Sequence, residues 1–371
     1  MTTIIHTADV HLDRAYSGAG MSPAIASARR EELRDAFRRF IGLALETGAD
    51  AVTIGGDLYE HDRVTPDTGN FIRQQLERLC DVPALLAPGN HDPYVPDSIY
   101  HRLAWPANVT IFRERSFAPV ELAGGVTVWG AGHDAPDVRA NLLEGFQAPA
   151  EGSHVLLFHG SDTRSVPEGK LAHAPFRPDD LDAAHAGFAL LGHYHVPRLH
   201  PTEAPQYAYP GSPEPLDFAE EGDHCVARLD IAGGAFTCSL LPFGRVRYRT
   251  FEADVTGMES SDEARTAIAA LGDASAIARV VLVGDLSPDV DLSLQSLYDS
   301  CAERFSYLDI VDRTQPAYRM DEIAEESTTK GAFARLMLER IETAEGEERE
   351  IAEAALLYGL QAFDRKEVQV R

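Results

Sequence analysis

Lysine is almost missing from this chain: three residues of 371 (Lys170, Lys330, Lys366), so nearly all of its 33 cationic side chains are arginine. Carboxylates number 59, which leaves a formal net charge of −26. Affinity for nucleic acid rests largely on cations meeting phosphates, so the general surface is poorly suited to gripping long duplexes unaided. Arginine does favour bidentate contacts to individual phosphates. Cysteine is also scarce. Cys80, Cys225, Cys238 and Cys301 show no paired metal spacing and sit in or beside apolar segments, which predicts reduced, buried thiols. No apolar run approaches membrane-spanning length, and Thr2, Thr3, Ile4 and Ile5 enter a strand at once with no signal peptide. A cytoplasmic protein with no membrane attachment is the expectation. Internal repeats and low-complexity segments are not evident, and histidine stops at His224, which confines imidazole chemistry to the first part of the chain.

Five short polar clusters occur in order: Asp9-Val10-His11, Gly56-Asp57, Gly89-Asn90-His91-Asp92, His159-Gly160 and Gly192-His193-Tyr194-His195. Each follows an apolar run (4–5, 51–54, 84–86, 155–158, 188–191) that reads as a buried strand. The clusters therefore fall at strand ends, which would converge on one rim. Together they supply ligands for two metal ions. A phosphodiester resists attack by hydroxide, and a pair of divalent ions about 3.5–4 Å apart both neutralises its oxygens and supplies hydroxide at neutral pH. Mixed carboxylate, imidazole and amide ligands suit Mn²⁺, Fe²⁺ or Zn²⁺ better than an all-oxygen magnesium cage. Asp57 is the candidate bridging carboxylate. It lies between the Asp9 and His11 cluster and the Asn90 and His159 cluster, and the glycines before it permit close backbone approach. Any one cluster is the ordinary content of a turn; all five in order are not.

With these residues in view, the chain resembles the calcineurin-like metallophosphoesterases, and among them the DNA-repair nuclease branch typified by bacterial SbcD. Three segments carry the resemblance: His6-Thr7-Ala8-Asp9-Val10-His11-Leu12-Asp13, Ala189-Leu190-Leu191-Gly192-His193-Tyr194-His195, and Tyr209-Pro210-Gly211-Ser212-Pro213-Glu214-Pro215-Leu216-Asp217-Phe218. It is firm over residues 1–245 and loose beyond. It implies that Asp9, His11, Asp57 and His195 hold one ion, while Asp57, Asn90, His159 and His193 hold the other, with manganese the expected metal. It further implies that His91 contacts the scissile phosphate and helps the leaving oxygen depart, with Asp92 orienting it. Some family members carry a His three residues after the bridging Asp; here that position is Glu60, and His61 follows it. Arg14, His133 and Ser212 are candidate substrate contacts. His6 reads as a core or rim imidazole satisfied by a backbone carbonyl, and His101, His154, His173, His185, His200 and His224 read as surface or loop residues.

The expected architecture is α/β: a two-sheet metallophosphoesterase sandwich over 1–245, a small α/β capping domain over 246–320, and C-terminal helices over 321–371. Helical spacing appears at 31–45 and 71–79, and β patterning at 126–129, 207–209, 225–231 and 236–241, with Gly233-Gly234 as a hairpin turn. Beyond Pro242-Phe243-Gly244 come strand, helix, strand, helix and strand at 248–255, 261–271, 278–283, 292–305 and 307–311. Arg245, Arg247 and Arg249 alternate there, either as a charged edge strand or as a stripe that tracks phosphates. Amphipathic helices at 331–343 and 348–363 either pack on their own domain or, by the resemblance, dock as a hairpin on an SMC-like ATPase of the SbcC type. The resemblance also implies a homodimer. Two function classes stay open. One is a divalent-metal-dependent DNA exonuclease, with endonuclease action as an extension, in DNA double-strand-break repair or DNA end processing. The other is a hydrolase of nucleotides and other small phosphoesters, which the acidic composition suits better.

Overall fold

Strands buried on both faces lose the polar alternation of a one-sided sheet and read as unbroken apolar runs; the inner strands of the first part of this molecule are of this kind. In the computed structural model, which describes residues 1–16, 21–166, 169, 171–287 and 290–364, the chain divides into two units, Met1–Tyr248 and Arg249–Arg371. Lys170 and Lys366 lie outside the described residues. The first unit begins β1 (Thr2–Thr7), α1 (Pro23–Glu46), β2 (Ala51–Ile54), α2 (Pro66–Glu77), β3 (Ala84–Leu86), α3 (Ile99–Arg102) and β4 (Val109–Ile111). It continues β5 (Ala118–Leu122), β6 (Val126–Gly130), β7 (Ser153–His159), α4 (Pro178–Ala183), β8 (Phe188–Gly192), β9 (Arg198–His200), β10 (Tyr207–Tyr209), β11 (Cys225–Ala232) and β12 (Ala235–Pro242).

These strands form two six-stranded sheets, ordered β12-β11-β1-β2-β3-β4 and β5-β6-β7-β8-β10-β9. Strands β1 to β4 run parallel, as do β6, β7, β8 and β10. The remaining strands join antiparallel, and Gly233 and Gly234, at φ of 57° and 80°, close the β11–β12 hairpin. Side chains alternate between faces: Ile4, Val155, Leu157, Phe188 and Leu190 enter one core with Leu85, Ala208 and Leu229, which is the interior between the sheets. Leu156, Phe158, Ala189 and Leu191 enter a second core with Leu181 and Ala184 at α4. Each fully buried side chain of this size contributes about 1.5–3 kcal/mol.

The expected two-sheet α/β sandwich is thus the observed one. Helix α1 starts well before the periodic stretch that signals it, because Ser22 caps the Ile25 amide and Pro23 occupies the first turn. Strands β4, β5 and β9 are short, partly exposed and without a clear period, so patterning does not reveal them.

The second unit contains β13 (Arg247–Asp254, entering from the first), α5 (Ser261–Ala270), β14 (Ala276–Val283), β15 (Asp285–Leu286), α6 (Leu294–Cys301), β16 (Tyr307–Asp312), β17 (Gln315–Pro316), α7 (Met320–Glu325), α8 (Thr329–Thr343) and α9 (Glu347–Phe363). A β13-β14-β16 sheet carries Val280, Leu282 and Leu308 against Ala264 and Ile268 of α5 and Leu297 and Cys301 of α6. Helices α7, α8 and α9 gather Ile323, Ala334, Leu356 and Leu360, with Phe333, Met337 and Ile341 packed on them. Leu336 and Ile351 nevertheless stay 65% and 62% exposed. Among the described residues no helix is long and apolar enough to cross a membrane. All four cysteines are thiols; Cys225 and Cys301 are buried, but Cys80 is exposed, contrary to expectation, because it lies in the turn after α2.

Candidate metal centre at the strand ends

Parallel strands deliver their carboxyl ends to one rim, and here two sheets do so together. Asp9 and His11 follow β1, Asp57 follows β2, Asn90, His91 and Asp92 follow β3, His159 ends β7, and His193 and His195 follow β8. The sheets are stitched at this rim by His6, whose Nδ1 accepts from the Thr53 hydroxyl (2.9 Å) and whose Nε2 donates to the Leu191 carbonyl (3.1 Å). The backbone approach is close. A Cβ on Gly56, already at φ +95°, would lie 2.6 Å from His159 Nδ1 and 2.9 Å from Gly89 Cα. Asp9, His11, Asp57 and His193 are themselves non-glycine residues at positive φ (54°, 50°, 52° and 115°). Such conformations cost on the order of 1–3 kcal/mol each and cluster at functional sites.

Hydrogen bonds fix which nitrogen of His159, His11 and His195 is turned toward the carboxylates. His159 Nδ1 donates to the Gly55 carbonyl (2.9 Å), so its Nε2 presents a lone pair. That Nε2 faces Asn90 Oδ1 at 2.9 Å, His193 Nδ1 at 3.2 Å and Asp57 Oδ2 at 3.4 Å. His11 Nδ1 donates to Glu60 Oε1 (2.9 Å), leaving a buried Nε2 with no hydrogen-bond partner, 3.7 Å from Asp57 Oδ2. His195 Nδ1 donates to Glu220 Oε1 (2.5 Å), and its Nε2 stands 4.0 Å from Asp9 Oδ1. Electron-rich atoms turned on one another at these distances are a fit for divalent cations, and the carboxylate–imidazole pairs are the usual outer support of metal-binding histidines. Among the described residues three groups have donor atoms within 4.8 Å of each other: Asp9, His11 and His195; His11, Asp57 and His91; Asp9, Asp57 and His159. Asp9 and Asp57 both recur, so two carboxylates sit at the middle.

The electrostatics follow from burial. Burial alone would raise Asp57, but the imidazoles of His159, His11 and His91 outweigh it and hold the carboxyl well below the usual range. Burial pushes Asp9 up to about 8, with His195 opposing and Asp57 adding to the rise. Burial lowers His193 to about 4 and His159 further, the direction that favours the neutral ring a metal needs, whereas His195, though burial opposes it, is raised to about 9 by its Glu220 hydrogen bond. The Glu60 hydrogen bond raises His91 to about 9 despite its partial burial.

All seven expected ligands therefore meet at one rim, and several other expectations need correction. Among the described residues the hydrogen bonds of Asp92 go elsewhere than to the His91 ring. Asp92 is fully buried and accepts from the amides of Asp57 (2.9 Å), Leu58 (2.8 Å) and Gly89 (2.6 Å) and from the Tyr100 hydroxyl (2.6 Å), so it ties together the loops that carry Asp57 and His91. The carboxylate on His91 is Glu60, whose Oε2 lies 2.9 Å from Nδ1 while its Oε1 holds His11. Ser212 is buried and bonded to Glu220 (2.9 Å) and His224 (3.1 Å), which places it behind His195 rather than toward a substrate. His133 is buried too, its Nε2 donating to the His159 carbonyl (2.9 Å). Arg14 is partly exposed and pairs with Asp217 at 3.2 Å. His61 is held by Asp97 at 3.5 Å. His154 and His224, read as surface or loop residues, are buried. Sequence reasoning missed Glu60 and Glu220 because their partners lie 25 to 49 residues away along the chain. The general need of a metal-binding imidazole for a carboxylate was the one available signal.

The model of the calcineurin-like phosphoesterase family matches residues 2–197. A Bacillus subtilis (strain 168) protein named "Uncharacterized metallophosphoesterase YhaO" is 27% identical over 263 residues, covering 68% of this chain and 63% of that one. "DNA double-strand break repair protein Mre11" of Haloferax volcanii is 28% identical over 305 residues, covering 77% of this chain and 62% of that protein. The chain thus spans somewhat under two thirds of the length of these relatives. Among solved structures, TT1561 of Thermus thermophilus aligns with a TM-score of 0.39 at 17% identity, over 64% of this chain and 98% of that one. The family uses divalent metals to hydrolyse phosphoesters, and the Asp and His groups at this rim could hold such ions. With more than half of its length matched by the family model, the chain belongs to the calcineurin-like phosphoesterases.

Proposed function

We propose that this protein is a two-metal DNA nuclease, an exonuclease with endonuclease action as an extension rather than a general phosphatase, serving double-strand-break repair or DNA end processing. The observation that carries the reading is the set of bare imidazole nitrogens converging on Asp57 and Asp9, taken with relatives named for double-strand break repair. Asp9, His11, Asp57 and His195 would hold one ion and Asp57, Asn90, His159 and His193 the other, with manganese favoured by the mixed donor set. When bound, such ions neutralise phosphate oxygens and make hydroxide available at neutral pH. His91 does the proton work. Its Nδ1 is anchored on Glu60 and its side chain stays 45% exposed, which leaves Nε2 to serve the leaving oxygen.

The family resemblance extends the reading to a homodimer in the cytoplasm, a capping domain over 246–320, and a helical segment over 321–371 that docks on an SMC-like ATPase. The exposed Leu336 and Ile351 of α8 and α9 support the docking role. The net charge of −26 favours the second reading, a hydrolase of small phosphoesters. Assays of linear duplex, single-stranded DNA and a small chromogenic phosphodiester, with Mn²⁺ and after chelation, decide between them. Chelation should abolish all three activities and Mn²⁺ restore them; hydrolysis of the small ester alone would select the second reading.

A further inference from the structure

A cavity of about 420 Å³ opens in the first unit, its lining including Asp13, Arg14, Tyr16, Pro23, Arg30 and Arg63. Backbone hydrogen bonds tie its wall to the metal centre. The Arg14 amide donates to the His11 carbonyl (3.1 Å), the Arg63 amide to the Glu60 carbonyl (3.0 Å), and the Glu60 amide to the Leu12 carbonyl (3.0 Å). Segments 11–14 and 59–63 therefore leave the centre side by side and pass directly into the cavity wall.

The charge here runs against the composition. Three arginines line one cavity in a chain where carboxylates outnumber cations. Arg14 shares its charge with Asp217, but Arg30 and Arg63 meet no carboxylate among the described residues. Asp13, the carboxylate in the lining, is engaged by the Thr65 amide (3.1 Å). Pro23 is the first residue of the 24-residue α1, whose first turn carries no acidic side chain. The positive end of that helix thus opens onto the same space as the arginines.

We infer that this cavity is a second phosphate site, which takes a backbone phosphate of the nucleic-acid strand whose scissile bond lies at the metal centre. The inference rests on the nuclease reading and deepens it. Guanidiniums and a helix N-terminus recognise a phosphate without reading sequence, so the site selects polynucleotides over small esters, which have one phosphate and cannot reach both places. It also gives an acidic chain a means of holding DNA: a local arginine cluster replaces a broad basic surface.

The test uses the full-length manganese-loaded protein and its Arg30→Gln/Arg63→Gln variant, assayed on a short fluorescent single-stranded oligonucleotide and on a chromogenic phosphodiester. The ratio of kcat/KM for the oligonucleotide to that for the ester should fall about tenfold or more. The logarithmic salt dependence of oligonucleotide binding should become shallower by about 0.7 for each phosphate that the variant no longer neutralises. The Arg30→Lys/Arg63→Lys variant should recover much of the ratio. Arg63→Gln alone, on an exposed side chain, covers the case in which the double variant loses its manganese. An unchanged ratio, or an equal loss on both substrates, would overturn the inference. A wild-type protein that cleaves the ester but no DNA would instead sink the nuclease reading; oligonucleotide binding by anisotropy then still decides, since equal or absent binding in wild type and variant removes the site.

Discussion

Replacing Glu60 by glutamine tests whether one carboxylate orients both a metal-binding and a proton-transferring imidazole. Its two oxygens each accept a bond of 2.9 Å, from His11 Nδ1 and from His91 Nδ1. Glutamine keeps one acceptor and puts an amide nitrogen in place of the other, so one ring loses its partner. A hydrogen bond to a charged group contributes about 1.5–3 kcal/mol, which corresponds to roughly 10- to 100-fold, and outer-sphere carboxylates of metal-binding histidines typically have effects of that size. If His11 is released, its proton can move to the buried Nε2 that faces Asp57, and manganese affinity falls. If His91 is released, kcat falls while affinity holds. Calorimetric Mn²⁺ titration alongside small-ester kinetics separates the two outcomes. Affinity and kcat both at wild-type levels would refute the clamp, and with it the assignment of Glu60 rather than Asp92 as the group that orients His91.

His91→Ala should retain its metal and lose about 10²- to 10⁴-fold in kcat; loss of metal content by elemental analysis would make His91 a ligand instead. Asp92→Ala should lower the urea midpoint markedly, since it strands three backbone amides and a tyrosine hydroxyl in the interior at about 1–3 kcal/mol per unsatisfied group; an unchanged midpoint would count against its role as the loop tie. Burial lowers His6 from 6.5 to about 4, so the unfolded chain takes up this proton first as the pH falls. The stability in question is fully present above about pH 6.5 and is lost progressively toward pH 4, up to about 3 kcal/mol. Denaturant midpoints of wild type and His6→Asn across that window should converge at the acid end, and parallel pH curves would disprove the contribution.

The centre was legible in the sequence to the extent that it is local. Each cluster of candidate ligands lies at or just beyond the end of its own buried strand, and a strand covered on both faces leaves an unbroken apolar run as its trace. Thus Ala51–Ile54 announces Asp57 and Phe188–Gly192 announces His193 and His195. The second unit's longer strands and the pair α8 and α9 were likewise visible from periodicity. Short strands with half-exposed faces, such as β4 and β9, left no such trace.

Residue types and their placement at strand ends were set by the sequence itself, because hydrophobic pattern and backbone propensity act over a few neighbouring residues. Which polar atoms meet was decided only by tertiary structure. Glu60 stands 31 residues from His91, Glu220 25 from His195, and Asp92 35 from Asp57, and nothing local distinguishes these carboxylates from the many others in the chain. The same holds for Ser212 and His133, whose roles turned on burial, and for Arg30 and Arg63, which share a cavity only because α1 and the segment after β2 return to the same rim. Hydrogen bonds and charge pairs act through space at about 3 Å, so their partners are fixed by the packing of the two sheets and not by order along the chain.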